Sequence, residues 1–280
     1  MMPIHDQGYR RYGGGKEARG QGWLVIARAG IRMMVAKRLF LALLLVSWVR
    51  FLYECIRVYM TTNFGQFSIL ATTAQTFREF LEFQEIFLFF ITIYVGAGLI
   101  SNDRRANALQ IYLSKPLSRF EYVAGKAATL AVFLLGVTWV PAMLLLIVQG
   151  LFAGSFVFIR EHLFLLPAIT VYAFLQVMLA TFAMLALSSM SKSARFVGIM
   201  YAGLIFFTDA IFAMLKFLMN ASSASLVSPT QNLAQLGDVI FRVPPRHDTP
   251  AILSLLVIVF LLVASIVILE RKVRGVEVVA

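Results

Sequence analysis

The chain is poor in charge and in cysteine, and both shortages limit what it can be. Charged residues make up 14% of its 280 residues and apolar residues 60%, whereas a soluble domain carries about 25% charged and about 45–50% apolar residues. The single cysteine, Cys55, cannot form an internal disulfide. These numbers exclude a soluble enzyme, a secreted disulfide scaffold and a disordered chain, and they indicate a membrane protein.

Motifs for catalysis and nucleotide binding are also missing. The three histidines are scattered over predicted tail and loop segments, and neither H-E-x-x-H nor G-x-S-x-G occurs. The two Gly-Lys pairs lack the earlier glycine and the following Ser or Thr of a P-loop. We therefore expect that the chain is not an enzyme and that it holds no cofactor, metal or nucleotide itself.

Long apolar runs are abundant, and they predict an all-α polytopic membrane protein with six transmembrane helices. A run needs about 20 apolar residues to cross a hydrocarbon core of about 30 Å, and no run shows the period-two alternation of a β-barrel. We expect Pro141 to kink the third run. The predicted spans cover residues 39–59, 84–101, 123–148, 163–187, 196–217 and 251–269.

The distribution of lysine and arginine predicts the orientation of these spans. With both termini in the cytoplasm, eighteen of the 25 Lys and Arg residues fall on the cytoplasmic side, as the positive-inside rule requires. The net charge of +11 then reflects basic cytoplasmic segments next to membrane lipid and does not indicate a nucleic-acid partner.

Four segments lie outside the spans of the six-span domain 39–270. Residues 1–22 are predicted to be a disordered basic tail, and residues 271–280 a second cytoplasmic tail. Residues 23–38 alternate apolar and basic side chains, which favours an amphipathic helix lying in the membrane surface over an extension of the first span. The outer segment 218–250 contains helical spacing over 229–241, which predicts a short outer or re-entrant helix.

The cytoplasmic loop 102–121 has the most specific pattern. Apolar residues at helical spacing predict a helix over 103–113, and Pro116 should stop it. Ser118 and Glu121 form a capping box that begins a new helix leading into span three. Such an elbow suits insertion into a cytoplasmic partner; the alternative is a loop that merely packs on the membrane surface.

The run from Gly96 to Lys126, GAGLISNDRRANALQIYLSKPLSRFEYVAGK, resembles the signature of bacterial ABC transporter permeases of the type-2 export class. Asp103 stands where members of that family often carry Glu, and Asn107-Ala108 replaces a common Gly-Thr. The positions that match the family pattern are Ser114, Pro116, Leu117, Ser118, Arg119, Gly125 and Lys126.

This resemblance implies a multi-pass permease of the bacterial inner (plasma) membrane. Such permeases work as two subunits, identical or related, with two copies of an ABC ATPase that binds the ATP and Mg. The loop 102–121 would be the main coupling element, 188–195 a smaller contact and 23–38 the interface helix. The residues expected to contact the ATPase are Asp103, Arg104, Arg105, Leu109, Tyr112, Pro116, Arg119, Lys192 and Arg195.

Charged residues inside the predicted spans are the other candidates. Arg50, Glu54 and Arg57 share one face of span one, and Asp209 lies at a similar depth in span five. An ionised group near the midplane costs at least about 2.5–3.5 kcal/mol unless it is paired or wetted. Two interpretations stay open: a translocation path for a polar part of the substrate, or an intramembrane ion pair that locks spans one and five together.

Weaker candidates and other functions complete the prediction. Gln176 in span four should hydrogen-bond a neighbouring helix, and Glu79, Glu82 and Glu85 should form a solvated helix face in preference to an acidic outer mouth. The alternatives to an ATP-driven exporter are an ATP-independent secondary transporter or channel and a membrane anchor of a cytoplasmic complex. The sequence does not identify the substrate.

Overall fold

The computed structural model describes residues 21–63, 73–108, 118–152, 163–219 and 222–273, and within these ranges the chain forms helices and no strand. Six helical segments are long and apolar enough to cross a membrane, which confirms the prediction of a six-span helical membrane protein. The segments are Arg38–Asn63, Ala74–Arg105, Arg119–Phe152, Leu165–Met190, Ala194–Leu218 and Ala251–Lys272, called spans one to six below.

The helices of the described residues are α1 (Gly22–Val35), α2 (Arg38–Ser47), α3 (Val49–Asn63), α4 (Ala74–Ile91), α5 (Ala97–Arg105), α6 (Arg119–Val137), α7 (Trp139–Phe152), α8 (Leu165–Met190), α9 (Ala194–Met219), α10 (Pro229–Ile240) and α11 (Ala251–Lys272).

Several spans consist of more than one helix. Span one comprises α2 and α3, span two comprises α4, a π-helical turn over Thr92–Gly96 and α5, and span three comprises α6 and α7. Spans four, five and six are α8, α9 and α11, and a 3-10 turn over Ser222–Val227 precedes α10.

Span two begins ten residues earlier than its apolar run predicts. Thr73 and Thr76 form a capping box at its start, so the helix begins at Ala74 and not near residue 84. Its 32 residues extend about 48 Å, well beyond a hydrocarbon core of about 30 Å. The sequence prediction missed this extension because the sequence does not reveal that Asp238 and Arg246, far along the chain, pair with its charged residues.

The predicted break in span three is confirmed. Helix α6 ends at Val137 and α7 begins at Trp139, with Thr138 between them and Pro141 in the first turn of α7. Proline has no N–H to donate to the carbonyl four residues earlier, so the regular hydrogen-bond ladder cannot continue through this point. The Leu134 carbonyl accepts both from the Thr138 hydroxyl at 2.8 Å and from the Thr138 backbone N–H at 3.0 Å.

Spans two, three and four form the centre of the bundle. At the end that the sequence predicts to be cytoplasmic, these three spans pack against one another through one apolar cluster. At the predicted outer end they pack through a second apolar cluster. Spans one, five and six instead expose many large apolar side chains. A helix face of this kind is stable against lipid or another apolar surface and unfavourable against water.

Helix α1 packs along α6 at the predicted cytoplasmic end. Two glycines allow the approach: Gly30 faces Thr129, and Gly125 faces Ile26 and the Trp23 carbonyl. A Cβ atom on Gly125 would lie 2.7 Å from the Ile26 Cβ, which is closer than van der Waals contact permits. Whether α1 also lies in the membrane surface stays a prediction.

Two predictions about connecting segments have different outcomes. The outer helix predicted over 229–241 is α10, which begins at Pro229 after the cap Ser228 and ends at Ile240. The helix predicted over 103–113 does not begin at 103, because α5 continues from span two to Arg105 and then ends in a turn. Asn107 takes a left-handed φ of 52° there, a conformation that asparagine tolerates better than most residues.

Candidate functional site

A buried cluster of opposite charges joins span two to α10 at the predicted outer end. The Arg78 side chain is only 2% exposed, and its Nε atom lies 3.0 Å from Asp238 Oδ1. Its Nη2 donates to the Ala234 carbonyl at 3.0 Å, and its guanidinium lies over the Tyr172 ring at 5.0 Å. A buried arginine is tolerated only with partners of this kind.

Arg246 completes the cluster from the loop after α10. It forms a bidentate ion pair with Glu82, in which Nη1 donates to Oε1 at 2.7 Å and Nη2 donates to Oε2 at 3.0 Å. Its Nε also donates to Asp238 Oδ2 at 2.8 Å. The hydrogen bonds that Arg246 donates to Glu82 raise the pKa of Arg246 above its ordinary value. The cluster therefore contains two cations and two carboxylates, and its formal charge is zero.

Glycine at position 237 makes this contact possible. A Cβ on Gly237 would lie 2.5 Å from Arg78 Nε and 2.8 Å from the Tyr172 ring. Only a residue without a side chain therefore lets α10 approach span two closely enough for Asp238 to reach Arg78. The face of Glu82 and Glu85 predicted to be solvated is thus engaged in contacts within the protein, which corrects that expectation.

Glu85 follows Glu82 by about one helical turn along span two, and it contacts span four. Its Oε1 accepts hydrogen bonds from the Tyr172 hydroxyl at 3.1 Å and from Gln176 Nε2 at 2.8 Å. The prediction that Gln176 hydrogen-bonds a neighbouring helix is confirmed. Glu85 and Gln176 also line a cavity of about 540 Å³ between spans two, four, five and six and α10.

The predicted charge group in span one forms as expected from its spacing. Arg50 Nη2 lies 2.7 Å from Glu54 Oε1, and Arg57 Nε lies 2.8 Å from Glu54 Oε2, while the Glu54 side chain is fully buried. The Arg50 guanidinium also lies over the rings of Tyr53 and Phe83, at 5.1 and 5.2 Å. The pairing along one helix is therefore confirmed.

Asp209 is not part of that charge group. Its Oδ1 accepts hydrogen bonds from the Ser228 and Thr230 hydroxyls, at the start of α10. Ser228 is also the N-terminal cap of α10, because its hydroxyl accepts from the Gln231 backbone N–H. Asp209 thus ties span five to the outer helix, and the interpretation in which Asp209 locks spans one and five together is wrong.

At the predicted cytoplasmic end, Asp103 and Arg104 bind within the chain. Asp103 Oδ2 lies 2.7 Å from Lys126 Nζ and accepts from the Tyr122 hydroxyl at 2.8 Å, so it joins span two to span three. Arg104 donates to the Ser189 carbonyl. These two residues therefore hold the ends of three spans together, and their polar groups face inward.

The other residues predicted to contact an ATPase are either exposed or outside the described residues. Arg105 follows Arg104 at the end of α5, Arg119 begins α6, and both side chains are exposed. Lys192 is exposed between spans four and five, and Arg195 is exposed in the first turn of span five. Leu109, Tyr112 and Pro116 lie outside the described residues, as do the tail 1–20 and residues 274–280.

The capping box predicted from Ser118 and Glu121 is confirmed. The Glu121 backbone N–H donates to Ser118 Oγ at 3.1 Å, and the Ser118 backbone N–H donates to Glu121 Oε2 at 2.8 Å. Satisfying these free backbone groups fixes the point at which the chain re-enters a helix after the loop.

Neither a metal-binding group among the described residues nor a matching sequence points to a function. Among the residues that the structure describes, no group of three His, Cys, Asp or Glu side chains could hold a metal ion. In comparisons with known proteins, no family model matches the chain and no curated protein matches it. The geometry and the sequence motif therefore carry the functional argument.

Sequence reasoning missed the cluster of Arg78, Glu82, Asp238 and Arg246. One signal was available: Arg78 and Glu82 are four residues apart, and the structure places their side chains 3.2 Å apart. The second signal was Asp238, an acid within the apolar spacing of the predicted outer helix. Neither signal identifies its partner, because 160 residues separate Arg78 from Asp238.

The loop that carries Arg246 also contains a buried histidine, whose titration should make stability depend on pH. His247 Nε2 lies 3.0 Å from Gln231 Oε1, and Gln235 binds its backbone N–H and carbonyl. Burial, with smaller effects from Lys216 and Arg246, lowers the pKa of His247 below its ordinary 6.5, against a weaker opposing effect of Asp238 and Asp248.

Because the unfolded state binds this proton more tightly, protonation of His247 favours unfolding. We expect the melting temperature to stay constant above pH 6.5 as far as His247 is concerned, and to fall as pH drops below that value. Thermal unfolding of the wild type and of His247→Gln, measured across this range, checks the prediction. An identical pH dependence in the two proteins would show that another group is responsible.

Proposed function

We propose that the chain is the membrane-spanning permease subunit of an ATP-driven exporter similar to the type-2 ABC class. Both termini would be cytoplasmic, the membrane would be the bacterial inner (plasma) membrane, and the chain would work with a second permease subunit. The ATP and Mg would be bound by two copies of a separate ATPase, because this chain has no P-loop sequence.

The observation that supports this proposal best is the anchoring at both ends of the loop between spans two and three. Asp103, at the end of span two, is held by Lys126 and Tyr122 of span three. The chain resumes its helix at Ser118 through a capping box. Both described ends of this loop are thus fixed to the same pair of helices, which supports its use as a docking element for a partner.

Further contacts make the ends of spans two, three and four one mechanical unit. The Ser188 hydroxyl donates to the Ala97 carbonyl at 2.9 Å and accepts from the backbone N–H groups of Ile100 and Ser101. Arg104 binds the Ser189 carbonyl as well. Force applied to the loop would therefore move three spans together, as a rigid-body transition requires.

The remaining spans could then move relative to this unit. Spans one and five carry many exposed large apolar side chains, among them Leu45, Phe206 and Phe217. Such surfaces suit both lipid and the second permease subunit, because either contact keeps them away from water. ATP binding would favour one arrangement of the spans only if the ATPase pair binds that arrangement more tightly.

The proposal predicts that exposed arginines near the loop hold the ATPase. We expect Arg105→Glu and Arg119→Glu to lower the amount of ATPase that co-purifies with the tagged chain at least tenfold, because each reverses a charge at the proposed interface. The measurement is Mg-dependent ATP hydrolysis and the subunit ratio after mild detergent extraction from the source cells.

Lys216→Glu is the matched control. Lys216 is exposed in span five near the predicted outer end, where its ammonium group lies over the Phe212 ring at 5.6 Å. Its reversal should leave co-purification unchanged. Wild-type protein that carries no ATPase would contradict the proposal and favour a secondary transporter, a channel or an anchor. An equal loss in Lys216→Glu would show that the arginine effect is not local.

A further inference from the structure

The cavity of about 540 Å³ is apolar along most of its wall and polar where Glu85 and Gln176 face it. Its size lies within the range of small-molecule sites, about 300–1,000 Å³. The apolar wall comes from four spans and α10 and includes Phe89, Leu179, Ala183, Leu204, Leu233 and Leu261. Such a space fits an apolar body that carries one polar group.

The buried cluster of Arg78, Glu82, Asp238 and Arg246 does not compensate the negative charge of the nearby Glu85 carboxylate. Arg78 and Arg246 are balanced by Glu82 and Asp238, and Glu85 forms no ion pair with the residues that the structure describes. Both hydrogen bonds to Glu85 end on Oε1, whereas Oε2 accepts none from the described part of the chain.

A second acceptor lies beside it without a donor. Gln176 is 2% exposed, and while its Nε2 binds Glu85, its Oε1 has no hydrogen-bond partner among the described residues. An unsatisfied buried acceptor costs about 1–3 kcal/mol. Two neighbouring acceptors without donors therefore favour a ligand that brings N–H donors or positive charge, and they disfavour one that brings only acceptors.

We propose that this cavity binds hydrophobic amines, with the apolar body between the spans and the ammonium group donating to Glu85 Oε2. The ammonium would supply the missing charge, and its additional N–H groups could reach the amide oxygen of Gln176 after a small rotation of that side chain. Binding is a property of this chain alone. That the bound amine is also the exported substrate rests on the proposed function.

The test uses dansylcadaverine, a fluorescent primary amine, with the full chain in nanodiscs of neutral phosphatidylcholine. We expect a saturable rise in dansyl fluorescence above that of empty discs. Dodecylamine should displace the probe at concentrations at least tenfold lower than dodecanol, which has the same chain without the charge. Equal displacement by the two compounds, or no saturable signal, would overturn the proposal.

Two variants and a matched control test the site itself. Glu85→Gln keeps the shape and the acceptor for Tyr172 but removes the charge, and it should weaken binding at least tenfold. Glu79→Gln makes the same change six residues earlier on an exposed face, where Glu79 binds only Gln75, and it should bind as the wild type does. Ala183→Phe should abolish binding by filling the cavity.

Each variant is compared with the wild type by thermal unfolding, so that loss of the ligand site is distinguished from loss of the fold. If Glu85→Gln fails to fold, the amine-to-alcohol ratio on the wild type and the Ala183→Phe result still decide the outcome. Wild-type affinity in Glu85→Gln would contradict the assignment. Because no ATPase is present, this test can fail while ATPase co-purification succeeds, and the reverse.

Discussion

Replacing Asp238 with alanine is expected to destabilise the folded chain by about 3–5 kcal/mol, the cost of breaking a buried ion pair by removing one partner. The Arg78 side chain is only 2% exposed, and in the variant Glu82 would be the one carboxylate of the cluster left to it. Glu82 also pairs with Arg246, so one carboxylate would serve two arginines. Arg246 would lose the acceptor of its Nε donor at 2.8 Å. The measurement is the free energy of unfolding in mixed micelles, obtained by titration with a denaturing detergent.

Two further proteins determine whether the loss comes from the pair. Asp248→Ala removes an exposed acid ten residues later and should change stability by less than about 0.5 kcal/mol. The double variant Arg78→Leu/Asp238→Leu removes both buried charges and should be more stable than Asp238→Ala, because the remaining cluster members Glu82 and Arg246 balance each other. A loss in Asp248→Ala as large as in Asp238→Ala would contradict this explanation.

The second large effect concerns the contact between α1 and α6. Gly125→Ala is expected to cost about 1–3 kcal/mol, the usual cost of inserting a methyl group into packed space. The new Cβ would lie 2.7 Å from the Ile26 Cβ and 2.8 Å from the Trp23 backbone carbonyl. Because a backbone atom cannot rotate away, α1 has to shift as a whole.

Gly136→Ala in the same helix is the matched control. A Cβ at Gly136 would have no neighbour within 4 Å, so this change should be neutral or should stabilise α6 by about 0.5–1 kcal/mol through helix propensity. Hydrogen exchange of the α1 amides should become faster in Gly125→Ala and stay unchanged in Gly136→Ala. Unchanged exchange in Gly125→Ala would show that α1 does not depend on this contact.

This contact also bears on the proposed coupling. Helix α1 packs on the part of α6 that carries Gly125, and the neighbouring Lys126 binds Asp103 of span two. A weakened contact between α1 and α6 therefore acts next to the point where the loop is anchored. Measuring ATPase co-purification with Gly125→Ala would show whether the position of α1 matters for the partner.

The sequence by itself determined several features that depend on neighbours along the chain. Apolar runs identified the six spans, Ser118 and Glu121 the start of α6, and Pro141 the interruption of span three. The ion pairs of Glu54 with Arg50 and Arg57 were predictable for the same reason, since residues three and four apart share a helix face. Such effects need no knowledge of how the helices pack.

Only the tertiary structure decided which distant polar groups meet. The distant hydrogen-bond partners of Arg78 and Asp209 come from α10 and from its N-terminal cap, Ser228, 19 to 160 residues away. Span two extends outward to Ala74 because those partners make its charges tolerable. The cavity beside Glu85 exists because five helices pack without filling the space between them. Packing is a collective property of many side chains, so no local pattern in the sequence specifies it.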